Sequence, residues 1–183
     1  MLHNYIKSQT ADLHSAVESV PIIQDLATGR IDRQRFGQLT EKMYGFWGPL
    51  EAKLERINLP VPWSRRVQFL SQDLFGLGLT ADDIDSLTIC DFSPNVTEVA
   101  EGLGVAYVYQ GSQMGGVLIH RALEKSGLIP EDCRTFYAPG KEKTSVKWPA
   151  FTRALNDLQV SSDQRDLAAH AARQTFFALM RWL

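Results

Sequence analysis

One histidine in this sequence stands with two charged residues at helical spacing, and this group is the first candidate for chemistry. His14 follows Lys7 by seven residues and precedes Glu18 by four, so a helix through this stretch places all three near one face. An imidazole there can ligate a metal ion while a carboxylate one turn away accepts its other N–H. The alternative is an ordinary, partly buried histidine between solvated charges, and this helix by itself favours that alternative.

The remaining histidines, at positions 3, 120 and 170, add no second ligand in a recognisable pattern. None of the four histidines forms the HxxxH or ExxH spacing of a metal-binding helix pair, and Cys90 and Cys133 have no metal-ligand spacing either. We therefore expect no site built from several protein ligands. The chain also contains no GxSxG elbow and no phosphate-binding GxxxxGK loop, so a bound cofactor would have to supply its own reactivity.

The second candidate is the apolar stretch from Leu103 to Arg121, which is too long for one strand and contains four glycines. In a helix, Gly104, Gly111 and Gly115 lie on one stripe because they are seven and four residues apart. Each glycine costs roughly 1 kcal/mol relative to alanine in a helix interior. The stripe therefore predicts a face that either another helix or a flat ligand approaches closely. A helix crossing is the commoner use, whereas the adjacent pair Gly115 and Gly116 permits a bend.

The elements that must position these residues are helices. Apolar residues recur at three- and four-residue steps, and no alternating strand pattern of any length is present. The sequence therefore predicts an all-α fold, a single-domain helical bundle over residues 1–183. We predict helices over residues 5–20, from an Asp32 cap through Leu54, over 64–74, from beyond Asn95 to Lys125, over 146–158 and over 162–183, joined by turns at 22–27 and 80–85 and by a polar loop around Ala138, Pro139 and Gly140.

Composition and charge limit the class of protein. Hydrophobic residues make up 44% and charged residues 22% of the 183 residues, as in ordinary globular domains. A net charge of -2 provides no general field for nucleic acid or an anionic membrane. No uninterrupted apolar run of about 18 residues is present, and MLHNYIKSQT does not resemble a secretory signal. We expect a cytoplasmic protein with reduced cysteines and without a membrane span.

Two segments together resemble a known family. KSQTADLHSAVES (residues 7–19) and GVAYVYQGSQMGGVLIHR (residues 104–121) are similar to the proximal and distal helices of haem oxygenases, particularly the bacterial ones associated with phytochromes. The order and lengths of the helices and the segments WPAFTRALNDL and AARQTFF also look similar, so the resemblance covers nearly the whole chain. It implies a haem oxygenase fold and the oxidative opening of haem to biliverdin with release of carbon monoxide and iron.

The resemblance implies a role for each candidate. It makes His14 the iron ligand on the proximal side, with Glu18 behind the imidazole. Gly111 and Gly115 are then catalytic and haem-binding residues on the distal side, where the backbone approaches the bound oxygen, and Gly116 follows in the same haem-binding motif.

Basic residues and one departure from the family pattern complete the site. The resemblance implies that Lys7 meets a haem propionate, and Arg153 and Lys147 are further candidates for that role. Many family members have an aspartate after the first distal glycine, where it holds water that delivers protons. Here that position is Ser112, a third candidate catalytic residue, whose hydroxyl orients water but supplies no ionised carboxylate.

Haem would be both substrate and cofactor, with O2 as co-substrate. No flavin or nicotinamide fingerprint is present, so electrons must come from an external donor such as a ferredoxin or flavodoxin with its reductase, and a phytochrome is a possible recipient of biliverdin. One alternative is a non-catalytic haem-binding or haem-transfer protein of the same fold, for which Ser112 is the best argument. Another is a helical interaction module that uses the glycine stripe. We expect His120 to be a surface residue, turned away from the glycines.

Overall fold

The computed structural model describes residues 1–138 and 144–183; for residues 144 and 145 it describes the backbone only. These ranges contain helices and no strand. The all-α fold class is therefore confirmed. Pro139 and Gly140 of the predicted polar loop lie outside the described residues. The helices are α1 (Leu2–Glu18), α2 (Pro21–Ala27), α3 (Arg33–Arg56), α4 (Val67–Leu77), α5 (Ala81–Asp85), α6 (Val99–Ser126), α7 (Thr144–Asp157) and α8 (Ser162–Trp182), with a 3-10 turn at Glu131–Cys133.

Local capping residues set the ends of the long helices. The Asp32 carboxylate accepts a hydrogen bond of 2.8 Å from the Arg35 N–H and begins α3, as the sequence predicts. Helix α3 continues through Pro49. Gly127 ends α6 with a φ of 65°, a conformation that glycine adopts without strain. These boundaries were predictable because each depends on a few neighbouring residues.

Two short segments differ from the prediction. Pro21 does not close the first helix but occupies the first turn of α2, where its missing N–H has no helical partner to lose. Residues 22–27 are therefore helical rather than a turn. Thr80 and Asp83 cap each other through side chain and backbone, so residues 81–85 also form a short helix.

Helix α6 is the central element and changes character along its length. Every residue from Gly102 to Gln110 is buried, whereas exposed positions appear from Ser112 onward. In the buried half, a Cβ at Gly104 would collide with the Ala168 carbonyl oxygen and lie 2.9 Å from the Ala172 nitrogen of α8. Gly104 thus allows α6 and α8 to cross in close contact.

Helices α1 and α6 are held in place by shared neighbours. Both α1 and α6 pack on α8 and α7, whereas α1 and α6 make little direct contact with each other. One contact between α1 and α6 is that of the His3 and Tyr107 rings, whose centres are 5.9 Å apart. Helix α2, which follows α1, packs against α6 where Gly29 faces the Ala122 carbonyl. We call the space between α1 and the second half of α6 the α1–α6 cleft.

Cys90 and Cys133 are both buried, and their thiols are free. No helix within the described ranges is long and apolar enough to cross a membrane.

The crossing at Gly104 leads to a stability prediction. Gly104→Ala should lower the free energy of unfolding by about 2–3 kcal/mol, because the new methyl group can be accommodated only by separating α6 from α8. Equilibrium urea unfolding measures this change. Gly115→Ala is the matched control, since nothing lies within 4 Å of the Cβ position there, and it should be neutral or stabilising by up to about 1 kcal/mol. A Gly104→Ala variant as stable as the parent would disprove the close crossing.

Candidate functional site

His14 lies on an exposed side of α1 with one ring nitrogen free. Its side chain is 58% exposed, and its Nδ1 is 3.4 Å from a carboxylate oxygen of Glu18. The ring is edge-on to Phe176 of α8, with 5.7 Å between the ring centres. Within the described chain, Nε2 makes no hydrogen bond. Glu18 and Phe176 therefore orient the imidazole while leaving Nε2 able to bind a metal ion.

His14 belongs to a row of exposed residues along α1. Lys7, Ala11, His14 and Glu18 are all exposed and lie on one face because they are four, three and four residues apart. A neighbouring stripe of the helix, with Leu2, Ile6 and Thr10, is buried. The structure therefore bears out the expected common face for Lys7, His14 and Glu18.

The second half of α6 presents an apolar stripe, which we call the α6 stripe: the partly buried Gly111 and the exposed Met114, Gly115 and Leu118. These residues recur at three- and four-residue steps and share one face. Met114 is 43% exposed and Leu118 is 65% exposed. Nothing lies within 4 Å of the Cβ position of Gly115. An exposed apolar strip with an open glycine suits the flat, apolar face of a ligand.

The glycines of the predicted stripe have different surroundings in the structure. Gly104 packs against α8, so the helix-crossing interpretation is correct for that residue. Gly115 faces open space, and the Cβ position of Gly111 is 3.4 Å from the edge of the Trp148 ring. Gly116 is buried, with its Cβ position 3.9 Å from Tyr137, and so faces a different neighbour.

The basic candidates differ in their surroundings. Lys7 and Arg153 are exposed. Lys147 is half-buried, and its Nζ is 3.4 Å from the hydroxyl of Ser64. The pKa of His3 is lowered by burial and, to a smaller extent, by the charge of Lys7. Lys7 follows His3 by one helical turn on α1, and the His3 ring contacts Trp148 of α7, so both lie at the end of the α1–α6 cleft where α7 packs.

His120 does not occupy the surface position that the sequence predicts. It is partly buried, and its Nδ1 is buried without a hydrogen-bond partner among the described residues. It lies nine residues after Gly111, half a turn around the helix and away from the α6 stripe. That side of α6 is covered, as the contact between Gly116 and Tyr137 one turn earlier shows.

A buried carboxylate on α3 joins three helices. Glu51 accepts hydrogen bonds from the backbone N–H groups of Arg66 and Val67, at 2.7 and 3.1 Å, and from the Tyr109 hydroxyl of α6. The helix predicted from Ser64 therefore begins at Val67, where Glu51 satisfies the free N–H groups. Burial and the neighbouring Glu51 charge raise the pKa of Tyr109, which keeps its hydroxyl protonated as the donor.

Two further buried charges fix the segment behind α6. The Arg66 guanidinium donates to the carbonyl oxygens of Phe136 and Ala138. The Asp73 carboxylate accepts from the Thr135 and Phe136 N–H groups at 2.6 and 2.9 Å. Burial raises the pKa of Asp73 and lowers that of Arg66. Both groups are buried at a cost, which their hydrogen bonds to backbone offset.

A small cavity lies beside Ser112 with room for about one water molecule. The Arg66 Nε is buried and has no partner among the described residues, and the Ser112 hydroxyl donates to the Tyr109 carbonyl at 2.8 Å, which leaves its oxygen free to accept. A water there has both a donor and an acceptor. The lining residues are Arg66, Ser112, Gln113, Gly116, Phe136, Tyr137 and Ala138.

The sequence analysis did not identify this polar network, although one signal was present. Glu51 follows Trp47 by four residues and precedes Leu54 by three, so it lies on the apolar face of α3. A carboxylate at such a position needs a buried partner. Arg66 and Asp73 carried no comparable signal, because their partners are backbone groups of a distant segment.

Comparisons with known proteins identify the family and the fold. The profile of the family described as Heme oxygenase matches residues 1–183. The structure of heme oxygenase from Leptospira interrogans is similar with a TM-score of 0.82, at 20% identity over 99% of this chain and 97% of that chain. Heme oxygenase-1 from the cyanobacterium Synechocystis, in complex with heme, has a TM-score of 0.79, at 16% identity over 99% and 90% of the two chains.

A third similar structure is the NO- and CO-bound heme oxygenase from Neisseria meningitidis, with a TM-score of 0.69, at 16% identity over 99% of this chain and 90% of that chain. At these identities the likeness establishes the fold. A comparison with curated protein sequences finds no significant match.

The buried network leads to a second stability prediction. Asp73→Ala should lower the free energy of unfolding by about 3 kcal/mol, because it leaves the N–H groups of Thr135 and Phe136 buried without acceptors. Chemical denaturation measures the loss. Asp85→Ala, at an exposed position on α5, is the control and should change stability by less than about 0.5 kcal/mol. Equal stability of the two variants would show that Asp73 does not hold residues 135–138.

Proposed function

Because this chain belongs to the haem oxygenase family, we propose that it binds haem in the α1–α6 cleft and opens the macrocycle to biliverdin. The reaction consumes O2 and electrons and releases carbon monoxide and iron. The observation that carries this proposal is that α1 exposes a histidine with a free ring nitrogen while α6 exposes an apolar stripe with an open glycine. One side supplies a metal ligand and the other a surface for a flat apolar molecule.

The residues present fit haem as a substrate. Nε2 of His14 is free to bind the iron, and Glu18 is placed to accept the Nδ1 proton, which holds the ring in one orientation. The α6 stripe would lie against the porphyrin on the other side, where Gly111 and Gly115 would let the backbone come close because they have no Cβ. Gly116, as the next residue of the motif, is proposed as a haem-binding residue with them, although its Cβ position faces Tyr137 at 3.9 Å.

Haem itself supplies the iron at which O2 is reduced and the ring that is oxidised. The chain must therefore exclude bulk water and direct a proton to the distal side. The Ser112 hydroxyl and the one-water cavity beside it support this role, since Ser112 and Arg66 offer an acceptor and a donor to an ordered water. In this proposal Ser112 orients that water and takes the place of the family's usual aspartate.

Basic residues near the cleft would meet the propionates. Lys7 shares the exposed row with His14 and follows His3 by one helical turn at the α7 end of the cleft. Arg153 is exposed on α7, and Lys147 lies one residue before Trp148. We propose Lys7 and Arg153 as propionate-binding residues, with Lys147 as a further candidate at the same end.

Electrons would come from a separate protein, a ferredoxin or flavodoxin with its reductase, because the sequence carries no fingerprint for a flavin or nicotinamide cofactor. A phytochrome is the proposed recipient of biliverdin, by resemblance to the phytochrome-associated branch. The proposal places the reaction in the cytoplasm, where such carriers and free thiols occur. The alternative function, haem binding or transfer without degradation, is favoured by one observation, the serine at position 112.

Hemin binding tests the iron ligand. Hemin added to the purified protein should give a stoichiometric complex with a sharp Soret band, and His14→Ala should weaken binding on the order of tenfold or more and shift that band. Added imidazole should restore the band in His14→Ala by replacing the lost ligand. His170→Ala, an exposed histidine on α8, and His120→Ala should bind hemin like the parent. If His120→Ala and not His14→Ala lost the parent spectrum, His14 would not be the iron ligand.

Aerobic turnover separates the enzyme from the haem-binding alternative. The hemin complex with ascorbate, or with a ferredoxin and its reductase, should develop the absorption of biliverdin. Ser112→Ala should slow this reaction about tenfold at unchanged hemin affinity, because the distal water loses its acceptor, whereas Ser112→Asp should remain active. A stable complex that yields no biliverdin under these conditions would favour haem storage or transfer.

A further inference from the structure

Trp148 of α7 covers part of the surface that the proposed function assigns to haem. The outer edge of its ring lies 3.4 Å from the Cβ position of Gly111, at atom Cη2, and 3.6 Å at Cζ3. Gly115, one turn further along the same stripe, is open. In this structure the α6 stripe is therefore half covered by an aromatic ring and half free.

Trp148 sits in a cluster of rings contributed by three helices. Its ring centre is 5.6 Å from that of Tyr107 on α6 and 5.9 Å from that of His3 on α1. It is stacked on Phe151 of its own helix at 5.7 Å. These contacts hold the ring over Gly111 and close the α7 end of the α1–α6 cleft.

The first turn of α7 is weakly attached to the rest of that helix. Pro149 lies inside α7, and it has no N–H to donate to the carbonyl four residues earlier. Trp148 precedes this proline, and a residue in that position is disfavoured in the helical conformation. Because the hydrogen bond from position 149 to the carbonyl of residue 145 is already missing, moving Trp148 and the first turn breaks one hydrogen bond fewer than the same movement would in a regular helix.

Unfilled space lies next to this turn. A cavity of about 230 Å³ separates α7 from the segment before α4 and from Gln110 of α6. Lys147 and Ala150, which flank Trp148 and Pro149 in sequence, form its α7 side. The space borders the start of α7, and among the described residues the one polar contact across it is that of the Lys147 Nζ with the Ser64 hydroxyl. The remaining lining residues are Pro62, Trp63 and Ser64.

From this geometry we propose that Trp148 is a gate: its ring occupies the Gly111 half of the α6 stripe in this structure, and an entering porphyrin displaces it together with the first turn of α7. This inference depends on the proposed haem site but goes beyond it. The ring shields Gly111 and closes the cleft until the larger flat ligand replaces it. Porphyrin can bind only when the Trp148 ring is displaced. The apparent association rate is therefore the intrinsic rate multiplied by the fraction of molecules in which the gate is open.

The first test is the rate of hemin association, measured by stopped-flow at the Soret band. Trp148→Ala should raise the association rate on the order of tenfold, and Trp148→Phe should give a smaller increase, because each leaves Gly111 more open. Trp182→Ala is the matched control: it truncates another half-buried tryptophan, at the end of α8, where the indole donates to the Lys42 carbonyl. Its association rate should equal that of the parent.

The second test follows the contact itself by proton NMR. The ligand-free protein should show a nuclear Overhauser effect between the Trp148 ring edge and the Gly111 α-protons. Gallium protoporphyrin, which is diamagnetic and does not turn over, should abolish it. A persistent contact in that complex, or Trp148→Ala and Trp148→Phe rates no higher than the parent rate, would overturn the gate. A parent protein that binds neither porphyrin would instead refute the proposed haem site, with which the gate would also fail.

Discussion

The crossing of α6 over α8 at Gly104 is the contact on which the remainder of the structure depends. Alanine at that position would collide with the backbone of α8, so the two helices can approach this closely only because Gly104 has no side chain. Helix α8 also carries α1, through the ion pair of Arg173 with Asp12 and the contact of Phe176 with His14. One helix therefore sets the separation between the two faces of the proposed site, the imidazole of α1 and the α6 stripe.

Buried charges position the other side of α6. Glu51, Arg66 and Asp73 are all buried, a costly arrangement that is tolerated when every charge has hydrogen-bond partners. Most of those partners are backbone groups, so the charges fix the path of the chain rather than pairing only with one another. They hold residues 135–138 against α6 and create the small cavity beside Ser112. The walls of that cavity are therefore set by the fold of the protein and not by Ser112 alone.

The glycines of α6 differ in what surrounds them. Gly104 allows helix packing, Gly115 leaves open surface, and Gly111 lies between these cases because Trp148 covers it. An exposed strip with Met114 and Leu118 is unfavourable in water without a partner. The aromatic cluster around Trp148 covers one end of the strip, which provides a physical reason for the position of α7.

Much of the fold and part of the site were determined by the sequence alone, because they depend on neighbours a few residues apart. The long helices, the Asp32 and Gly127 boundaries, and the common face of Lys7, His14 and Glu18 follow from local spacing and capping. The short helices that begin at Pro21 and after Thr80 could also have been predicted, since proline in the first turn and a threonine cap are common at helix starts.

Only the tertiary structure decided which glycines pack and which stay open, because that depends on where α8 and α7 lie. The same holds for the buried side of His120, the hydrogen bonds of Arg66 and Asp73 to residues 135–138, and the ring of Trp148 over Gly111. Each of these contacts joins residues more than 30 positions apart or depends on which helix covers a given face. A period of 3.6 residues defines a face of a helix, but the partner of that face is selected by the packing of the whole chain.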